Sequence, residues 1–212
     1  MPLVLLFPIL LALNLPIYGD IAYKSALLNP YDAETRTAFM ARALLLSPYD
    51  HVLAAGMAVV EQQLAPTTAG LDSADSQRIT ALYQRAMSAQ PLAPEPVAAY
   101  AEWLRQRSQY DLAAIPLAYQ FFERTLALSP NDIGARNRLA LHRWQNGDVE
   151  VAIDELEALL LVDPLYGPTY LNLAAIQHAQ GDVLAAQATL ETGAARVPWW
   201  PDLQQALEDY RR

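Results

Sequence analysis

Three histidines, His51, His142 and His178, are the side chains of this sequence best suited to metal ligation or proton transfer. No H-E-x-x-H pair joins them, and His142 and His178 fall at different positions of the local sequence pattern, so they form no ligand set. They read as ordinary surface or groove residues. Carboxylates come in close pairs, Asp72 with Asp75 and Glu155 with Glu157. Paired acids do acid–base work only inside a pocket that separates their pKa values. On polar helix faces they read as solvated. Ser47, Ser73 and Ser129 stand beside prolines or helix starts and read as turn or cap residues. No G-x-S-x-G elbow occurs, and the eight glycines are scattered rather than gathered into a phosphate loop. With no cysteine there is no disulfide, thiolate metal site, thiol nucleophile or lipid-modified cysteine. No catalytic, cofactor or metal site is expected, and the chain is not expected to be an enzyme.

The bulk numbers narrow the partners. Net charge is −9 over 212 residues, which repels phosphate and argues against nucleic acid. Anionic lipid headgroups repel it too, so membrane contact would have to be hydrophobic. Residues 3–18 supply a segment for that: no charged side chain occurs from Met1 to Tyr18, and Asp20 is the first. The run is at the short end of a bilayer span, about 17–25 residues, and carries Pro8 and Pro16. A cleaved signal peptide would want a basic start and a small-residue cleavage site, and neither is present. The favoured reading is an uncleaved anchor over 1–20; a buried apolar helix packed on a partner or on the rest of the chain is the other. Lys24, Arg36 and Arg42 after the run are balanced by Asp20, Asp32 and Glu34, so orientation is weakly set. The acidic, lysine-poor remainder leans toward the periplasmic side of a bacterial inner membrane. A single lysine beside thirteen arginines points to a GC-rich bacterial genome.

The elements that would position any site are punctuated by proline. Pro130, Pro164 and Pro198 recur every 34 residues, and a proline inside a helix costs about 3 kcal/mol. Residues 133–164 overlay 167–198 without a gap: Leu139 on Leu173, Ala140 on Ala174, Gly147-Asp148 on Gly181-Asp182, Ala152 on Ala186, Leu156 on Leu190. Apolar positions three, four and seven apart make one helix face. The glycines are expected to end a first helix in the left-handed conformation, and the aspartates to cap a second. The small alanines let the two approach.

This pattern resembles the tetratricopeptide repeat, a helix–turn–helix unit of about 34 residues. The slots of that repeat are filled here by Arg136/Tyr170, Leu139/Leu173, Ala140/Ala174, Arg143/Gln177, Ala152/Ala186, Leu156/Leu190 and Pro164/Pro198. The tyrosine slot departs in both copies (Arg143, Gln177) and the large-residue slot in one (Arg136). Upstream, an arginine precedes Pro48, Pro91 and Pro130 by six residues each time, and the five prolines are spaced 43, 39, 34 and 34. The resulting expectation is an all-α, TPR-like α-solenoid preceded by a transmembrane helix. Its parts are an anchor (1–20), a linker and leading helix (21–50), four helix pairs (51–91, 92–130, 131–164, 165–198) and a capping helix (199–212). The polar insertion 65–76 is the expected flexible loop. Leu203, Ala206, Leu207 and Tyr210 should face inward in the cap, and Gln204, Glu208 and Arg211 outward.

The resemblance implies that first helices line a groove and that proteins bind there. The groove candidates are Tyr100, Trp103, Arg107, Asn137, Arg138, Leu141, Trp144, Leu171, Asn172, Ala175 and His178. Trp103 and Trp144 read equally well as packing between units. Of the residues that would grip a C-terminal carboxylate, only Asn137, Arg138 and Asn172 are of suitable type, so that capture is not expected. The paired tryptophans of "PWWPD" (198–202) read chiefly as a cap. Function is expected to be a membrane-anchored interaction scaffold or accessory subunit of a bacterial envelope complex, with protein partners, no nucleic acid and no small-molecule substrate. The alternatives are an assembly factor holding a client segment, in cytochrome c, secretion or pilus maturation, and a regulatory partner of a membrane enzyme such as a glycan polymerase.

Overall fold

The computed structural model describes residues 33–210 apart from Pro48 and Thr67. The apolar run read as an anchor, most of the linker and Arg211 lie outside the described residues. Among those described, no helix is long and apolar enough to cross a membrane. They form ten α-helices and no strand: α1 (Ala33–Leu46), α2 (His51–Leu64), α3 (Ala74–Ala89), α4 (Pro94–Arg107), α5 (Ala114–Leu128), α6 (Ile133–Gln145), α7 (Val149–Val162), α8 (Gly167–Ala179), α9 (Val183–Arg196) and α10 (Pro201–Tyr210).

The prolines end helices by the predicted route. Gln90, Ser129, Asp163 and Val197 each precede one of them, and their backbones leave the helix at φ −138°, −138°, −133° and −125°. A proline ring forbids the helical conformation to the residue before it. Between α6 and α7 and between α8 and α9, Gly147 and Gly181 hold φ of +97° and +85°. The Asp148 amide returns to the Arg143 carbonyl and the Asp182 amide to the Gln177 carbonyl, both at 3.0 Å, closing matched Schellman turns. A Cβ at either glycine would meet nothing within 4 Å, so alanine there carries only the left-handed backbone penalty. Gly147→Ala and Gly181→Ala should each lower stability by about 1–2 kcal/mol in urea unfolding.

The aspartates behave differently from each other. Asp182 Oδ1 accepts from the Ala185 amide at 3.0 Å and caps α9. Asp148 makes no such cap; its carboxylate lies 3.4 Å from the Tyr119 hydroxyl, which donates to it, so the expectation holds for one of the two. Asp50, Ser73 and Asp132 cap α2, α3 and α6 by the same device as Asp182.

The chain divides into two compact units at the middle of α4. The first runs to Tyr100 and includes Gln109–Asp111; the second comprises Ala101–Ser108 and the residues from Leu112 onward. In the first, α2 packs chiefly on α3 and α1 on α2, around Met40, Ala43, Leu44, Leu53, Ala54, Met57 and Ala86. The next helix begins at Ala74, inside the insertion expected to be a loop, and the Leu71 amide before it donates to Asp111 Oδ2 at 2.8 Å. In the second, α6 packs on α7 and α8 on α9, with α7 against α8 and α9 against α10. Ala152 and Ala186 are fully buried, as close helix approach requires. The first-type helices α6 and α8 touch each other, and α8 touches α10, so alternate helices adjoin along one side. Leu203 and Leu207 of α10 are buried against α8 and α9, with Ala206 and Tyr210 partly so. Gln204, expected outward, is half-buried and donates to the Ala194 carbonyl at 3.1 Å.

Candidate functional site

The side formed by α6, α8 and α10 carries one of the clefts of the second unit. Between α8, α9 and α10 lies a cleft of about 480 Å³ lined by Leu171, Ala174, Ala175, His178, Leu190, Ala206, Asp209 and Tyr210. Its floor is apolar. His178 and Tyr210 set one rim: His178 Nδ1 lies 3.0 Å from the Tyr210 hydroxyl, their rings meet edge to face, and that hydroxyl donates to the Val183 carbonyl at 3.0 Å. Asp209 supplies a carboxylate beside the apolar floor. Such a surface suits an apolar side chain flanked by a cation or an N–H donor, with no arrangement for bond-making chemistry.

Three of the predicted groove residues, Leu171, Ala175 and His178, line this cleft. Arg138, Leu141 and Trp144 stay partly exposed on α6, and the Arg138 Nε is buried with no hydrogen-bond acceptor. The other predictions land inside the packing. Asn137 is 2% exposed; its amide donates to Thr169 Oγ1 at 2.9 Å and accepts from the Asn172 amide, so both asparagines are engaged in joining α6 to α8. Trp103 is 1% and Arg107 4% exposed, with the guanidinium 5.7 Å from the indole centroid. Tyr100 is buried in the first unit, its hydroxyl donating to Thr80 Oγ1 at 3.3 Å and its ring 5.3 Å from that of Tyr83. Tyr83 accepts from the Gln62 amide at 2.6 Å, and burial pushes its phenol up to about 12. As placed, Tyr100, Trp103, Arg107 and Asn137 do not reach a groove surface.

His142, read as a surface or groove residue, is instead wholly buried. Its Nε2 meets the Ile115 carbonyl at 3.1 Å and can only donate there; its Nδ1 lies 3.2 Å from the Asn146 amide nitrogen, which also donates to the His142 carbonyl at 2.7 Å. That pair of contacts requires neutral imidazole. The ring stacks on Tyr119 at 4.4 Å and lies 6.2 Å from Phe122. Burial lowers its pKa from 6.5; the Ile115 carbonyl raises it, Arg105 lowers it and Glu102 raises it by smaller amounts. Burial, with the Asp148 carboxylate next in order, pushes the Tyr119 phenol up. A histidine whose folded pKa is depressed binds fewer protons folded than unfolded, so stability is complete above about pH 6.5 and falls as pH drops below it. Urea unfolding at pH 7.5 and 5 should show this loss, and His142→Gln should reduce the difference.

The missed pairs follow the repeat. In the slot where tyrosine departs, Arg143 forms an ion pair with Glu155, and one repeat later Gln177 accepts from Thr189 Oγ1 at 2.8 Å. Each partner stands twelve residues on, a polar crosslink between first and second helix that the 34-residue overlay contains. At the large-residue slot, Arg136 donates twice to the Pro130 carbonyl, at 2.8 and 3.1 Å, and Tyr170 donates once to the Pro164 carbonyl at 3.0 Å.

Solved structures share this arrangement. A factor widely conserved in type IV pilus biogenesis, PilW, superposes with a TM-score of 0.64 at 18% identity over 91% of this chain and 90% of its own. PilF of Pseudomonas aeruginosa gives 0.63 at 16% over 86% and 78%. A thermophilic TPR protein of Thermus thermophilus gives 0.65 at 14% over 94% and 98%. The fold is that of a tetratricopeptide-repeat protein. At these identities the likeness concerns the fold alone. No family model matches the sequence, and no curated protein does. Within this repeat fold, the α6–α8–α10 side is the row of first-type helices, and its cleft includes three residues of the predicted groove.

Proposed function

We propose that this chain is a membrane-anchored protein-interaction scaffold or accessory subunit of a bacterial envelope assembly, engaging a partner segment along the α6–α8–α10 side. The observation that carries the reading is the open apolar cleft on first-type helices, edged by His178, Asp209 and Tyr210. The apolar run at 3–18 supports the anchor, and the acidic remainder supports a repeat domain on the periplasmic side. An anchor raises the concentration of the array next to its partner.

A second reading, a chaperone that holds a client segment during maturation, is favoured by a fold neighbour described as a type IV pilus biogenesis factor. Solubilisation of membranes in mild detergent followed by stoichiometric analysis separates the two. A scaffold subunit should elute with a mature complex at a fixed ratio near one to one, and a chaperone only with immature client. Recovery as a free monomer, fully soluble without detergent, contradicts the anchored scaffold.

A further inference from the structure

A second cleft opens between α5, α6 and α7, with α6 presenting Arg136, Leu139 and Arg143 to it. Its volume is about 380 Å³, and Leu126, Leu139, Ala158, Leu159 and Val162 give it an apolar interior. Repeat arithmetic says why it is open. One period later the position of Arg136 is Tyr170, 1% exposed, and the position of Leu159 is Gly193. A Cβ on Gly193 would lie 2.7 Å from Tyr170 Cγ, so the ring packs flush on that glycine. In the α6–α7 repeat Arg136 stands in place of that ring, and its guanidinium bonds the Pro130 carbonyl as the Tyr170 hydroxyl bonds that of Pro164.

The unfilled place has a polar demand. Arg143 pairs with one oxygen of Glu155, while Glu155 Oε2 is buried and accepts no hydrogen bond. A buried acceptor without a donor is costly. Apolar walls, two guanidinium groups and one orphan carboxylate oxygen match an aromatic ring that carries its own N–H: dispersion for the ring, cation–π contact for its face and an N–H···O bond for its edge.

The chain itself displays such a ring. In "PWWPD" the two tryptophans do different things. Trp200 caps the array, lying against Gly167, where a Cβ would come 1.7 Å from Trp200 Cε3. Trp199 does not cap; it is 66% exposed on the turn between α9 and α10, between Pro198 and Trp200-Pro201. Prolines on both sides restrain that turn, so little freedom is lost on docking. Exposed Arg196 and Asp202 flank it in sequence, complementary to exposed Glu123 and Arg136 of the cleft.

We propose that the cleft between α5, α6 and α7 receives the Trp199 side chain of a second copy of this chain. The contact joins two different surfaces, so it is head-to-tail and each added copy leaves a free cleft and a free tryptophan. It uses other residues than the α8–α10 cleft and does not rest on the proposed partner binding.

Sedimentation velocity of the full-length chain in detergent, over a concentration series, tests it. The wild type should show a sedimentation coefficient that rises past the dimer. Trp199→Ala, which removes the ring, and Ala158→Arg, which fills the cleft from an exposed position, should each weaken association about 30-fold or more, the scale of an interface hot spot. Trp199→Phe, keeping a ring without the N–H, should weaken it about tenfold. Circular dichroism should show both blocked variants folded as the wild type. Mixed together, they should recover one productive contact and stop at the dimer, since the first keeps its cleft and the second its tryptophan. A wild type that stays monomeric throughout, association that survives either substitution, or a mixture that does not associate overturns the proposal.

Discussion

Trp103→Ala should lower folding stability by about 3–5 kcal/mol, the range for emptying a large aromatic site in a core. Trp103 is 1% exposed, and truncation leaves a void the size of an indole while removing the surface on which the Arg107 guanidinium rests. Arg107 is itself 4% exposed, so its charge would lose a compensating contact without gaining water. Urea titration followed by circular dichroism reads the change as a fall in midpoint. The same substitution separates two roles for the residue. A groove tryptophan would leave stability nearly intact and abolish partner binding; a packed one unfolds the protein. Trp144, half-buried on α6 beside the Ala140, Leu156 and Ile176 cluster, should cost clearly less when replaced by alanine.

Gly167→Ala carries the next largest expected effect, about 2–3 kcal/mol, at the upper end of overpacking penalties. The added methyl would fall 1.7 Å from Trp200 Cε3 and 2.2 Å from its Cζ3, so the indole must leave its seat. That seat closes the apolar end of the array around Tyr170, Leu203 and Leu207, to which Trp200 adds cover. A double-mutant cycle makes the cause explicit. In a Trp200→Ala background the clash has nothing to act on, and Gly167→Ala should become nearly neutral. A penalty that persists without the ring would assign the effect to the backbone at the start of α8 instead.

The elements were legible in the sequence wherever one residue type meets one backbone demand. Proline after Gln90, Ser129, Asp163 and Val197 ends a helix whatever surrounds it, and glycine at 147 and 181 accepts a conformation that others resist. Those effects are local, so a single chain states them. The groove was less legible because a helical period fixes a residue's face only relative to its own helix. A first-type helix in such an array has neighbours on several sides, and only a narrow strip stays open. Tyr100, Trp103 and Arg107 carry the residue types of binding hot spots and lie outside that strip. His142 was misread for the same reason: its ring is held by the Ile115 carbonyl and Tyr119, more than twenty residues earlier in the chain, a partnership without sequence signature. Asp148 repeats Asp182 in sequence, yet the Tyr119 hydroxyl meets its carboxylate in place of the helix amides. Leu171 and His178 line a cleft, but its far wall comes from Ala206, Asp209 and Tyr210 of the capping helix, whose stripe had been assigned to the core alone.

The central claim is that protein partners are bound on the row of first-type helices α6, α8 and α10. Photocrosslinking tests it most directly. A benzophenone amino acid placed at Ala175, exposed in the α8 cleft, is compared in cells with one at Glu157, exposed on the second-type helix α7. A discrete crosslinked protein from Ala175, absent from Glu157 and lost when Leu171 is replaced by aspartate, is the predicted result. Crosslinks from Glu157 alone, or from neither position in membranes that hold the protein at its native level, would contradict the account.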